Sequence, residues 1–123
     1  FRSWPGGKPK GLGTGNGSLD EWDKLLNAYD FKDDREAITS KLAPVDRLEP
    51  LAKAKTPILL VYGDNDHVVP HQENSEVVYI RYLALGGPVE RIVKPGQDHH
   101  PHGLTDPRPI VDFFEKARAG DRR

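Results

Sequence analysis

The sequence predicts an α/β fold that is incomplete in itself: parallel strands with flanking helices and a helical region before them. Three observations carry this. Residues 57–62 form a continuous apolar run ending at Gly63, as a strand covered on both faces does. Residues 89–94 form a second run ending in a Pro95-Gly96 turn, with a helical pattern between the two, so strand, helix and strand make one βαβ unit with parallel strands. Two strands alone would leave both outer edges with unpaired amides and carbonyls, so further strands are expected from another polypeptide or from a second copy of the chain.

The elements follow in order. Residues 1–17 carry six glycines with lysines between them, a composition that favours a flexible loop. A phosphate-cradling loop is not expected there, because no strand precedes it and the Gly-Lys-Ser/Thr ending is missing. Ser18-Leu19-Asp20-Glu21 fits a capping box, and Leu19, Trp22, Leu25, Leu26 and Tyr29 then recur at helical spacing as one apolar stripe. A second capping pattern, Asp33 to Glu36, opens a shorter helix through about Leu42, which Pro44 and Pro50 stop from continuing. After the first strand a helix runs from about Glu73, with Val78, Tyr82 and Leu85 on one face and Gly86-Gly87 as its stop. Beyond the second strand, Ile110, Phe113, Phe114 and Ala117 mark a last helix started by Pro107 and Pro109. The chain therefore divides as one incomplete domain, 1–123: a glycine-rich loop (1–17), helices (18–55), and the βαβ unit with its terminal helix (56–123).

The bulk numbers narrow the function classes. An apolar fraction of 36%, with 11 prolines and 12 glycines, leaves few long uninterrupted elements and argues against a self-contained core. A formal charge of -1 with acids and bases interspersed creates no field for phosphate backbones or anionic lipid, so neither nucleic acid nor a membrane is an expected partner. No apolar run reaches bilayer-spanning length and no signal-peptide pattern is present. Without cysteine there is no disulfide framework, zinc-finger spacing or thiol nucleophile, and the compartment is left open. A chain without methionine that opens at Phe1 is expected to be a processed or excised piece of something longer.

The chemistry concentrates at the two strand ends. In Gly63-Asp64-Asn65-Asp66-His67-Val68-Val69-Pro70 the glycine permits a sharp exit from the strand and leaves Asp66 at the apex of the turn. A carboxylate there can accept the Nδ1 proton of a histidine on the neighbouring strand end and leave Nε2 free to take a proton. Asp64 is the neighbouring candidate, and both aspartates can instead cap the turn. In Pro95-Gly96-Gln97-Asp98-His99-His100-Pro101-His102-Gly103, His99 comes first after the turn and is best placed to face Asp66. His100 and His102 can line the pocket, contact substrate or bond to loop backbone. The same histidines with Asp98, and His67 and His71 across the way, offer the ligand types of a metal site. No metal or other cofactor is expected, however, because adjacent histidines point apart in an extended loop, Pro101 stiffens it and no His-Glu-x-x-His helix exists.

Residues 60–70 and the segment Lys94-Pro95-Gly96-Gln97-Asp98-His99 resemble the acid and histidine motifs of α/β-hydrolase-fold enzymes. The likeness is closest to bacterial esterases and prolyl-oligopeptidase-like hydrolases, in which segments like Ser3-Trp4-Pro5-Gly6-Gly7 and His99-His100-Pro101-His102-Gly103 also occur. In that family the triad runs serine, acid, histidine along the chain, so the resemblance implies Asp66 as acid and His99 as base. It further implies a small-molecule substrate, a carboxylic ester of small or carbohydrate-linked type. It also places the 18–55 helices where this fold carries its cap, with Trp22 and Tyr29 able either to touch substrate or to pack in the core. The sequence departs from the family pattern in three ways. No Gly-x-Ser-x-Gly elbow surrounds Ser3, Ser18, Ser40 or Ser75, no oxyanion-hole loop is present, and Asp98 stands where glycine is common, which leaves His99 and His100 both open as the base. The chain is therefore expected to be the carboxyl-terminal half of such a hydrolase, inactive alone, or else a non-catalytic binding or assembly module lacking the nucleophile.

Overall fold

The glycine-rich segment does not stay a loop. In the computed structural model, which describes residues 1–120, Arg2–Gly6 forms a wide helical turn kinked at Trp4, and Gly7–Lys10 forms a short helix, α1, ended by Gly11 in the left-handed region at φ 65°. The Lys8 amide donates to the Gly15 carbonyl, the Asn16 amide to His67 and the Ser18 amide to Pro5, each at 2.9 Å. Glu73 completes the attachment. Its Oε2 accepts from Ser3 Oγ at 2.7 Å and its Oε1 from the amide and hydroxyl of Thr14 at 2.8 Å. Burial pushes the Glu73 carboxyl upward, but these donors outweigh it and hold the group below its ordinary value. The partners that order this arm lie far along the chain, where local composition carries no sign of them.

Helices α2 (Leu19–Tyr29) and α3 (Asp34–Thr39) begin at the capping residues read from the sequence: Ser18 Oγ accepts from the Glu21 amide at 3.3 Å and Asp33 Oδ1 from the Glu36 amide at 2.9 Å. Neither glutamate binds the amide of its own cap residue: Glu36 accepts from the Lys32 amide, one position earlier, at 2.7 Å, and Glu21 turns to Lys24. α3 ends at Thr39 rather than near Leu42, since Ser40 leaves the helical region at ψ 146° and its hydroxyl takes the Leu42 amide. A single turn at Pro44–Asp46 and helix α4 (Glu49–Lys53) lead to the sheet.

Strands β1 (Ile58–Gly63) and β2 (Val89–Lys94) pair in parallel, with Ile58 opposite Val89 and Gly63 opposite Lys94. Between them lie a turn at His71–Glu73 and helix α5 (Ser75–Ala84). Alternation along the strands sends Ile58, Tyr62, Val89 and Arg91 toward α5. There Val78 and Tyr82 of α5 meet Ile58, Val89, Leu48 and Ala52 in the main core, and Glu76 binds both Tyr62 Oη and Arg91. The other face receives α6 (Arg108–Gly120), whose Lys116 reaches Glu90 at 3.2 Å. Helices thus flank a parallel pair, as the α/β reading requires. The strands are less covered than the apolar run of β1 predicts: Ile58 to Val61 are half-buried, and no third strand joins among the described residues.

Tyr82 has no exposure, its hydroxyl donates to the Thr56 carbonyl at 2.6 Å, and its ring lies so close to Gly87 that a methyl there would sit 2.5 Å from it. The glycine stop therefore serves packing as well as chain reversal, with Gly86 taking the left-handed conformation at φ 72°. Leu85 differs from the expected apolar face. It falls just beyond the end of α5, where the helical stripe no longer applies, and is exposed. No helix among the described residues is long and apolar enough to cross a membrane.

Candidate active site

The strand-end turns are laced together before any side-chain chemistry is considered. The Asn65 amide donates to the Gln97 carbonyl at 3.1 Å, and Asp64 Oδ1 accepts the Gly96 amide at 2.6 Å, so Asp64 helps to build the turn while His99 pairs with Asp66. Gly63 is required at the crossing. A Cβ there would collide with the Gln97 carbonyl oxygen and lie 2.9 Å from that of Asp98.

Held by this frame, Asp66 and His99 meet. His99 Nδ1 lies 2.9 Å from Asp66 Oδ2, while Asp66 Oδ1 accepts the Val68 and Val69 amides at 2.9 and 2.8 Å. A carboxylate without a proton only accepts, so the hydrogen rides on Nδ1 and the neutral ring presents Nε2 as its lone-pair nitrogen. The Asp66 side chain is 10% exposed and that of His99 26%, which leaves the pair accessible while limiting the screening of its attraction.

Asp98 has a role that residue type alone did not reveal. Its Oδ1 accepts the amides of His67 and His99 at 2.9 and 2.7 Å, and its Oδ2 takes His67 Nδ1 at 3.0 Å. The His67 and His99 amides, with the His67 ring beside them, hold its carboxyl down to about 2. Asp98 is thus a clamp between the two turns, ionised across the working pH range. The sequence signal was the second Asp and His on facing loops, which read first as a departure from glycine.

His100 and His102 gather around His99. Ring centroids are 4.9 Å apart for His99 and His100, 4.6 Å for His99 and His102, and 4.3 Å for His100 and His102. The expectation that adjacent histidines point apart is therefore corrected, because the loop is curled: the Lys94 ammonium donates to the carbonyls of both Pro101 and Gly103. Desolvation, followed by the neighbouring imidazoles and Lys94, lowers the His102 value. His67 is engaged by Asp98, and His71 stacks on Tyr62 at 5.2 Å, so neither joins this group.

Trp22 is the second correction. It has no solvent exposure, its Nε1 donates to Asp34 Oδ1 at 2.8 Å, and its ring sits within reach of Gly6 and under the Lys10 ammonium. It is a core residue, whereas Tyr29, 44% exposed, stacks on Phe31 and packs at a tilt against Phe1. A cavity of about 640 Å³ opens beside β1 and α5, lined in part by Leu12, Ile38, Leu60, Val69 and Val78, but none of Asp66, His99, His100 and His102 borders it.

None of the four serines binds His99 among the described residues: Ser3 Oγ is taken by Glu73 and Asn74, and Ser18 and Ser40 serve backbone amides. Comparison of the chain with protein-family models, with curated proteins and with solved structures gave no match.

Proposed function

We propose that this chain supplies the acid and base of a serine hydrolase acting on carboxylic esters, its nucleophile borne by a segment outside these residues. The observation that carries the reading is the Asp66–His99 hydrogen bond of 2.9 Å, with the carboxylate pinned by two backbone amides on its other oxygen. That arrangement fixes the ring and its tautomer and leaves Nε2 to accept a serine proton. Asp66 then stabilises the imidazolium, and His99 returns the proton to the leaving alcohol. Esters are preferred to peptides on the family resemblance of the two motifs. The free edges of the two-stranded sheet, and the exposed Ile80 and Leu83 of α5 and Phe114 of α6, support a second polypeptide or second copy completing the fold.

Native material that contains the chain, with whatever polypeptide co-purifies, is the preparation to assay. His99→Ala should lower ester kcat by roughly a millionfold, the scale on which loss of the triad base acts. A variant with near-normal kcat defeats the proposal. The lack of a serine near His99 also favours a rival, a hydrolase-like binding module without chemistry. An activated phosphonate probe separates the two: labelling of a companion serine supports the hydrolase, and absence of labelling in catalytically tested native material supports the module.

A further inference from the structure

We infer that His99, His100 and His102 form a site for a divalent transition-metal ion of the zinc class, and that the ion competes with the base role of His99. One ring nitrogen from each histidine lies within 4.8 Å of the other two. Three imidazoles with an open fourth position are a donor set suited to zinc, cobalt, nickel or copper and unsuited to calcium or magnesium, which take oxygen.

The surroundings of His99 provide a second, independent observation. A metal-bound histidine almost always gives its other ring N–H to a carboxylate or carbonyl, which orients the ring and strengthens its lone pair. His99 makes that bond to Asp66, and Asp66 is itself fixed by the Val68 and Val69 amides. One ligand is thus already oriented, with Nε2 facing away from the carboxylate. A tetrahedral ion with bonds of about 2.0–2.1 Å would bring ligand nitrogens to roughly 3.3 Å, so binding draws the rings inward. His100 and His102 are exposed and have the freedom to make that movement. The opposing charge is Lys94, whose ammonium is occupied by the Pro101 and Gly103 carbonyls, and the Asp66 and Asp98 carboxylates offset it.

The binding site stands on these side chains alone, while its inhibitory consequence rests on the hydrolase reading: an ion on Nε2 removes the lone pair that would accept the serine proton. The full chain as purified, stripped with a chelator, is titrated with Zn²⁺ against a chromophoric chelator and with Co²⁺ followed by visible absorption. One ion per chain and a tetrahedral cobalt spectrum are expected. Loss of an outer partner alone costs about 10–100-fold in metal affinity, so Asp66→Asn should fall in that range and His100→Gln or His102→Gln should lose at least about tenfold. His71→Gln, at a ring that stacks on Tyr62 and joins neither the imidazole group nor the Asp98 clamp, should bind as the parent does. The inference is overturned if no saturable binding occurs, if the exposed-loop double variant H100Q/H102Q binds like the parent, or if His71→Gln loses as much. Zinc binding without ester turnover keeps the site and removes the hydrolase reading. Turnover dependent on His99 but indifferent to saturating zinc removes the competition.

Discussion

Replacing Gly63 with alanine should lower stability and disturb the Asp66–His99 bond in the same variant, because one backbone crossing serves both. The added methyl would overlap the Gln97 carbonyl oxygen and crowd that of Asp98, and both are main-chain atoms with no rotamer to change. Overpacking of this kind costs about 1–3 kcal/mol. Gly63 lies outside the left-handed region, so alanine also restricts the unfolded chain and recovers about 0.4–1 kcal/mol. The net is roughly 1–2 kcal/mol of destabilisation, which for a chain of this length lowers the melting temperature by roughly 4–10 °C. Circular dichroism reads the melting, and the chemical shift of the His99 Nδ1 proton reads the bond. Gly96 is the control. It has open space around it but φ 68°, so Gly96→Ala is strained by backbone conformation and Gly96→Asn should recover part of the loss, whereas no larger residue should recover Gly63. Melting of Gly63→Ala within about 1 °C of the parent, far inside the expected shift, with an unmoved His99 proton would refute the steric argument.

Asp66→Asn keeps the shape of the acid but can no longer enforce a proton on Nδ1. Nitrogen-15 spectra of His99 should show the tautomers mixing, and the ester turnover proposed above should drop about 10⁴-fold, with an unchanged spectrum counting against the assigned tautomer. Trp22→Phe preserves most of the buried ring and removes the donor to Asp34, so urea unfolding should report a loss of about 1–2 kcal/mol, and an unchanged midpoint would mean that the bond contributes nothing. Asp34 sets an acid limb. Hydrogen bonds from Lys10 and Trp22 hold its carboxyl below the ordinary value, so its contribution is fully present above the unfolded carboxylate value of about 3.9 and is lost as pH falls through the lower folded value. Acid unfolding followed by tryptophan fluorescence should therefore be shallower below about pH 4 in Asp34→Asn, and identical curves would contradict the linkage.

Local signals were legible where they are completed locally. Both capping residues, both strands and the glycine pair after α5 are dictated by neighbours within a few positions, and the structure places them within a residue or two of the sequence reading. The meeting of Asp66 and His99 was legible for a related reason. Paired parallel strands of one βαβ unit have little freedom in where their carboxyl ends lie. Features that depend on distant partners were not legible. Trp22 lies on a stripe that could face a cavity or a core, and the burying contacts come from Gly6, Lys10 and Asp34. The ordered arm depends on Glu73, and the convergence of the imidazoles depends on where one lysine ammonium finds its carbonyls. Periodicity and composition describe a segment by itself, so bonds between segments escape them.

The lacing of the two turns makes them one heritable unit. Asp64 is satisfied by Gly96, Asp98 draws two of its three donors from His67, and a residue larger than glycine at 63 is excluded by the passing Gln97 carbonyl. A grafting experiment that moved residues 63–70 alone onto a foreign scaffold would carry a carboxylate with no amide to receive and a crossing with nothing to cross. Substitution in either loop is thus constrained by its counterpart, and drift at position 98 should be tolerated only alongside change at position 67.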